Sequence, residues 1–173
     1  MNLNPLAGRI FSVIESKGFH DIQHSQQESL TFRQLLHLVA EWNEMLEHYQ
    51  AVHLPGSDTQ QELAGLYEEG ADILIVALDL AALHRVDLSA VAIEKPVYGG
   101  LDFLFLRIPR LIGRLGDIYR KERRLDKRLL SQIIHTTSGI LKRHGANPLE
   151  EVEVKMKKNA ARPQRYGTAE VEE

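Results

Sequence analysis

The chain is expected to be all-α, and three observations predict it. Apolar residues recur at three- and four-residue spacing through most of its length. Capping and stop residues punctuate those stretches. No segment shows the sustained alternation of a half-buried strand.

The elements follow in order. Asn4-Pro5 places proline at a first helical position and Gly18 is a stop, so a helix is expected over about 5–17. Residues 19–30 are polar and read as a loop. Thr31 is expected to cap a second helix to about Tyr49, with Leu35, Val39, Trp42, Leu46 and Tyr49 as its apolar stripe. Pro55-Gly56 marks a turn. Thr59-Gln60-Gln61-Glu62 has the form of a capping box and opens a long helix to about His84, apolar on most sides from Ala71 to Leu83 and so expected to be deeply buried. Asp87 is expected to cap a short helix ending at Lys95-Pro96, followed by a loop at 97–100. A fourth long helix is expected over about 102–123, started or kinked by Pro109. Asp126 caps a fifth to about His144, and Asn147-Pro148 starts a last one to about Asn159.

A faint repeat runs at an offset of about 60 residues. Ala82 to Lys95 lines up with Lys142 to Lys155: a helix turns at a His, and a capping Asp or Asn follows. Duplication and coincidence are both open readings of it.

Composition bounds the function. The 173 residues suit one domain with a real core. The net charge of −3 gives no global case for a nucleic-acid polymer as partner. The absence of cysteine removes disulfides, thiolate metal sites and cysteine nucleophiles, and fits a reducing compartment. The first residues lack the apolar stretch of a signal peptide, and no run is long enough to span a bilayer. A cytoplasmic protein with no membrane partner is expected. No GxxxxGK[ST] loop, HExxH or serine triad context is found.

The acids carry the chemistry. Glu41 and Glu44 stand three apart on the second helix, and Glu69 and Asp72 three apart on the third. Each pair shares a helix face. A short turn makes the two helices antiparallel, so the pairs can converge. Four carboxylates at one point repel unless a cation is bound, and hard oxygen ligands suit Mg²⁺ or Mn²⁺. Acid pairs at this spacing also occur on solvated faces. Asp72 is harder to place there, because it begins the apolar stretch ADILIVALDLAAL. Asp79 lies within that stretch and reads as a ligand, an acceptor supporting one, or the polar rim of a core helix. Trp42, between the two glutamates, reads as core or as a stacking platform. His84 and His144 read as helix-end residues where a cation complements the dipole.

The motifs Glu41-Trp42-Asn43-Glu44 and Glu69-Gly70-Ala71-Asp72 resemble the ExxE and ExxD of the MazG-like all-α nucleoside triphosphate pyrophosphohydrolases, a superfamily that includes dimeric dUTPases. The surrounding LLHLVAEWNEMLEHYQ and EEGADILIVALDLAALHRVDL, the Lys17-Gly18-Phe19 upstream and the ending from Lys155 to Gly167 are similar to one branch of it. The match covers roughly residues 10–95 and 140–167. It departs at Ala40, where many relatives carry another glutamate, and in about 60 intervening residues from Pro96 to Val154.

The resemblance implies a four-helix-bundle-like domain over 1–167: a catalytic half at 1–95, a degenerate repeat or helical insertion at 96–154, a phosphate-contacting tail at 155–167, and a disordered end at 168–173. If the second half is a copy, Arg114, Asp117, Leu129 and Gln132 stand at the acid positions. The resemblance further implies Mg²⁺ (or Mn²⁺) on Glu41, Glu44, Glu69 and Asp72, with Glu41 orienting the attacking water. Lys155, Asn159, Arg162 and Arg165 would contact the triphosphate. Hydrolysis of an NTP or dNTP to monophosphate and pyrophosphate by a homodimer is then expected. Ala40 keeps open a non-catalytic nucleotide-binding or regulatory protein, and a helical assembly module with only surface acids is the third reading.

Overall fold

The computed structural model describes residues 2–18, 20, 27–91 and 93–161. Among them it has six α-helices and no strand. These are α1 (Asn4–Ser16), α2 (Gln27–Val52), α3 (Thr59–Leu83), α4 (Leu101–Glu122), α5 (Lys127–Arg143) and α6 (Pro148–Ala161).

Local chemistry accounts for most of the boundaries. Asp58, not Thr59, caps α3, its carboxylate accepting from the Gln60 and Gln61 backbone N–H at 3.1 and 3.2 Å. Asp126 does the same for α5, at 2.8 Å to Arg128 and 3.0 Å to Leu129. Asn147 accepts from Leu149 N–H at the start of α6. Gly56, at φ +86°, turns the chain between α2 and α3 in a conformation that costs an L side chain.

Three expectations are corrected. α2 begins at Gln27, so part of the expected loop is helix. Thr31 lies inside it and donates to the Gln27 carbonyl at 2.7 Å rather than capping it. The short helix expected from Asp87 does not form. Asp87 does bond Ser89 N–H at 2.9 Å, but the following residues make turns that bury Leu88, Val91, Ile93 and Val97. Asn4 is drawn into this loop as well, accepting from Leu88 N–H at 2.7 Å.

Helices α2, α3, α5 and α4 touch in a closed ring, with α1 and α6 added on the outer side of α3. Neighbours in the ring are antiparallel. The α2–α3 seam shows it in three polar layers. His48 meets Glu62 at 2.7 Å, Glu41 meets Glu69, and Gln34 meets Asp79 at 2.8 Å. The α2 members are seven residues apart, two helical turns, so the layers stack about 10 Å apart along one stripe. Tyr67 O–H donates to the His144 carbonyl across α3–α5.

Every residue of α3 from Ile73 to Ala81 is buried, as its composition predicts. Gly70 marks a close approach of α3 to α5 and α2: a Cβ there would meet Leu141 Cδ2 at 2.6 Å and Met45 Cε at 3.1 Å. Trp42 is a packing residue whose ring N–H donates to the Phe105 carbonyl at 3.0 Å, joining α2 to α4. His84 is not the helix-end cation expected. Thr31 O–H is already committed to Gln27, so His84 Nε2, 2.8 Å from the same oxygen, must donate, and burial pushes the imidazole pKa down. No helix among the described residues is long and apolar enough to cross a membrane.

Candidate metal centre

Glu41 projects from α2 on the buried stripe that also carries Leu38 and Met45. Glu69 and Asp72 project from α3 beside it. One carboxylate oxygen from each of the three lies within 4.8 Å of the others. The residues of the ExxD motif are therefore together, with the first residue of ExxE. Glu44 is not in the set. It lies three residues beyond Glu41, past the edge of the buried stripe, and its side chain is exposed.

Three like charges this close cannot all be carried without a cation. Glu69 is pushed up to about 8 by burial, by its hydrogen bond to Glu41 and by the charges of Glu41 and Asp72. Burial acts on Glu41 too. Hydrogen bonds from His37 and Glu69 outweigh it and hold Glu41 below the usual range. His37, one turn back on α2, places Nε2 2.5 Å from Glu41 Oε1. Glu41 and Glu69 thus share one proton.

A lysine completes the cluster. Lys155 lies on the inner stripe of α6 with Val152 and Met156, and is only 6% exposed. Its ammonium pairs with Asp72 and, at 2.7 Å, with Glu68. Lys158 also reaches Glu68, at 2.6 Å. Burial opposes the Lys155 charge, but the two carboxylates raise its pKa and keep it protonated. Glu68 is lowered to about 2 by the two lysines. Burial raises Asp72 despite Lys155.

Asn159 stands one turn after Lys155 on α6. Its side-chain oxygen is enclosed and has no hydrogen-bond partner among the described residues. Arg162 and Arg165 lie outside the described residues, as does Phe19. Sequence reasoning missed His37 and Glu68. His37 was legible as the i−4 neighbour of Glu41, whereas Glu68 belongs to no motif and is identified only by the lysines that reach it.

Two turns down the same seam lies a second polar layer. Asp79 is fully buried, and its Oδ2 accepts from Gln34 Nε2 and His20 Nε2, both at 2.8 Å. About 10 Å from the acidic layer, it serves the α2–α3 packing and joins the segment after α1 to it. An open recess of about 510 Å³ lies along the first turns of α3, lined by Thr59, Gln60, Leu63, Ala64 and Tyr67. None of its residues belongs to the acidic cluster.

The positions that a duplication would align with the acids form no such site: Leu129 is buried in the core, and Arg114, Asp117 and Gln132 are exposed. Compared with family models, curated proteins and solved structures, the chain matches none.

Proposed function

We propose that the chain is a divalent-cation-dependent hydrolase of nucleoside triphosphates, NTP or dNTP, that releases the monophosphate and pyrophosphate. One observation carries the reading: Glu41, Glu69 and Asp72, which match the acidic motifs of the MazG-like resemblance, bring carboxylate oxygens within 4.8 Å of one another. The donor set fits Mg²⁺ or Mn²⁺, because it is all hard oxygen and retains a proton that a cation would replace. Glu41, Glu69 and Asp72 would hold the ion, with exposed Glu44 at the rim. When bound, the cation supplies charge neutralisation at the phosphate oxygens.

The chain's own groups do the rest. Glu41, kept ionised by His37, is placed to orient the attacking water. Lys155 is a fixed positive charge at the edge of the cluster, suited to a phosphate oxygen. Asn159 presents an amide on the same helix face, and Arg162 and Arg165 follow as further phosphate contacts. A cytoplasmic role in clearing nucleotides accords with the cysteine-free composition.

The ring of two antiparallel hairpins, α2–α3 and α4–α5, is the arrangement a duplicated unit would give. The helix ends support this reading. Arg85 and Gly145, 60 residues apart, both have positive φ, and Val86 N–H to Ala81 and Ala146 N–H to Leu141 close equivalent turns. A homodimer would then be joined through outer faces, since the ring closes within one chain.

The Lys155–Asp72 ion pair favours a second reading, a nucleotide-binding or regulatory protein whose acids are neutralised internally. Incubating the chain with Mg²⁺ and a panel of NTPs and dNTPs separates the two. Monophosphate and pyrophosphate in equal amounts support the hydrolase. Cation-dependent nucleotide binding without turnover supports the second.

A further inference from the structure

The charge of the chain is unevenly placed. Overall it is −3, yet residues 101–128 carry nine Lys and Arg against four Asp and Glu. Three of the nine are paired: Arg123 with Glu28, Arg124 with Glu122 and Lys127 with Asp87. Arg107, Arg110, Arg114, Arg120, Lys121 and Arg128 make no ion pair among the described residues, in a chain where acids outnumber bases.

Four of these six fall on one line. Phe103, Arg107, Arg110, Arg114, Asp117 and Lys121 follow one another at spacings of four and three along α4, so they share a face. That face lies about a third of a turn or more from the buried one, formed by Leu104, Ile108, Leu111 and Leu115. From Arg107 to Lys121 it runs about 21 Å. Asp117 is the one acid on it.

Aromatic rings stand at its N-terminal end. Phe103 is 54% exposed and Tyr98 82%. The Phe103 ring lies over the backbone of Gly99, where a Cβ would come within 2.9 Å of it. Arg143 holds this loop by donating to the Gly99 carbonyl at 2.5 Å and to that of Val97. Tyr98 is thus presented to solvent from an anchored loop and Phe103 from the first turn of α4. Exposed aromatics beside a line of arginines are the elements that bind a polyphosphate strand with unstacked bases.

We infer that the outer face of α4, with Tyr98 and Phe103, binds single-stranded nucleic acid through its phosphates and one or two stacked bases. A bilayer fits less well, because the apolar face of α4 is already used by the core and the helix cannot roll it into lipid. A duplex offers the arginines phosphates but gives the rings no free base face. The surface is separate from the acidic cluster, since α4 sits diagonally from α3 in the ring.

The test is fluorescence anisotropy of labelled oligothymidylate and oligouridylate with the full chain, in EDTA, over a range of salt. With three to four phosphate contacts, log affinity should fall against log salt with a slope of about −2 to −3. Arg107→Gln/Arg110→Gln/Arg114→Gln should weaken binding at least about tenfold at low salt and flatten the slope by about 2. Phe103→Ala should weaken binding while leaving the slope in place. Lys157→Gln, a surface cation on α6, should bind as wild type. Melting curves confirm that the variants are folded. No binding at low salt overturns the inference, as does a triple variant that binds like wild type. It is equally overturned if the face drives only salt-sensitive self-association or binding to anionic phospholipid vesicles.

Discussion

Lys155→Met removes the buried cation that pairs with the carboxylates and keeps most of the length and apolar stem of the side chain. In the metal-free protein this leaves Asp72, 16% exposed, facing Glu41, Glu68 and Glu69 without a counter-charge. Breaking a buried ion pair costs about 3–5 kcal/mol. Glu68 is one-third exposed and keeps Lys158, so solvent and that lysine absorb part of the loss. A cost of about 2–3 kcal/mol follows. For a chain of this size it lowers Tm by roughly 4–12 °C. The assay is thermal and urea unfolding in EDTA at pH 8, where the carboxylates repel most. Asp72→Asn in the same background should recover most of the loss, giving a coupling that a double-mutant cycle measures. Mg²⁺ should stabilise Lys155→Met more than wild type, because the ion takes the place of the lost charge. If Lys155→Met is as stable as wild type in EDTA, or Asp72→Asn fails to rescue it, the ion pair is not what balances the cluster.

Other expected outcomes follow from the same geometry. Glu69 has a folded-state pKa of about 8, above its unfolded value, so the proton it retains stabilises the metal-free fold fully below pH 4.5. That contribution is lost as pH rises from 4.5 through 8, and urea titrations in EDTA across this window should show the decline, absent in Glu69→Gln. Glu44→Gln should lower the Mg²⁺-dependent rate much less than Glu41→Gln, because only Glu41 lies with Glu69 and Asp72; steady-state kinetics on the two variants checks it. Gly70→Ala should destabilise by about 1–3 kcal/mol through overpacking against Leu141 and Met45, seen as a lower urea midpoint with unchanged m.

Much of the architecture was legible because the helices rest on local chemistry. Asp126, Asn147 and the apolar run of α3 act where their spacing indicates. The short helix at Asp87 was not legible. Its cap forms, but Leu88, Val91, Ile93 and Val97 gain more by sinking into the core as turns than a short helix gains from one cap. At the site, spacing alone put Glu41 and Glu44 on one face, yet α3 covers only the Glu41 side of it. Which of two residues three apart faces inward depends on the width of the contact, a property of the partner helix. The resemblance makes Lys155 a phosphate contact, whereas in the fold it is buried and paired with Asp72 and Glu68. Its place on the Val152–Met156 stripe was the available sign that it would be buried and paired first. The polar beat of Gln34, Glu41 and His48 at seven-residue intervals inside an apolar stripe was also present in the sequence. It becomes meaningful only once Glu62, Glu69 and Asp79 are seen opposite.

The most direct test of the central claim is pyrophosphate release from nucleoside triphosphates by the wild-type chain and by Asp72→Asn, with Mg²⁺ and with EDTA. Asp72 lies between the acidic set and Lys155, so its loss removes a ligand charge without opening a cavity. The expected result is release by wild type in Mg²⁺, none in EDTA, and a loss of at least about a hundredfold in Asp72→Asn, with a cooperative melting curve showing that the variant is folded. Release that persists in EDTA, or that Asp72→Asn retains in full, would contradict the assignment of the cluster as a cation-dependent hydrolytic site.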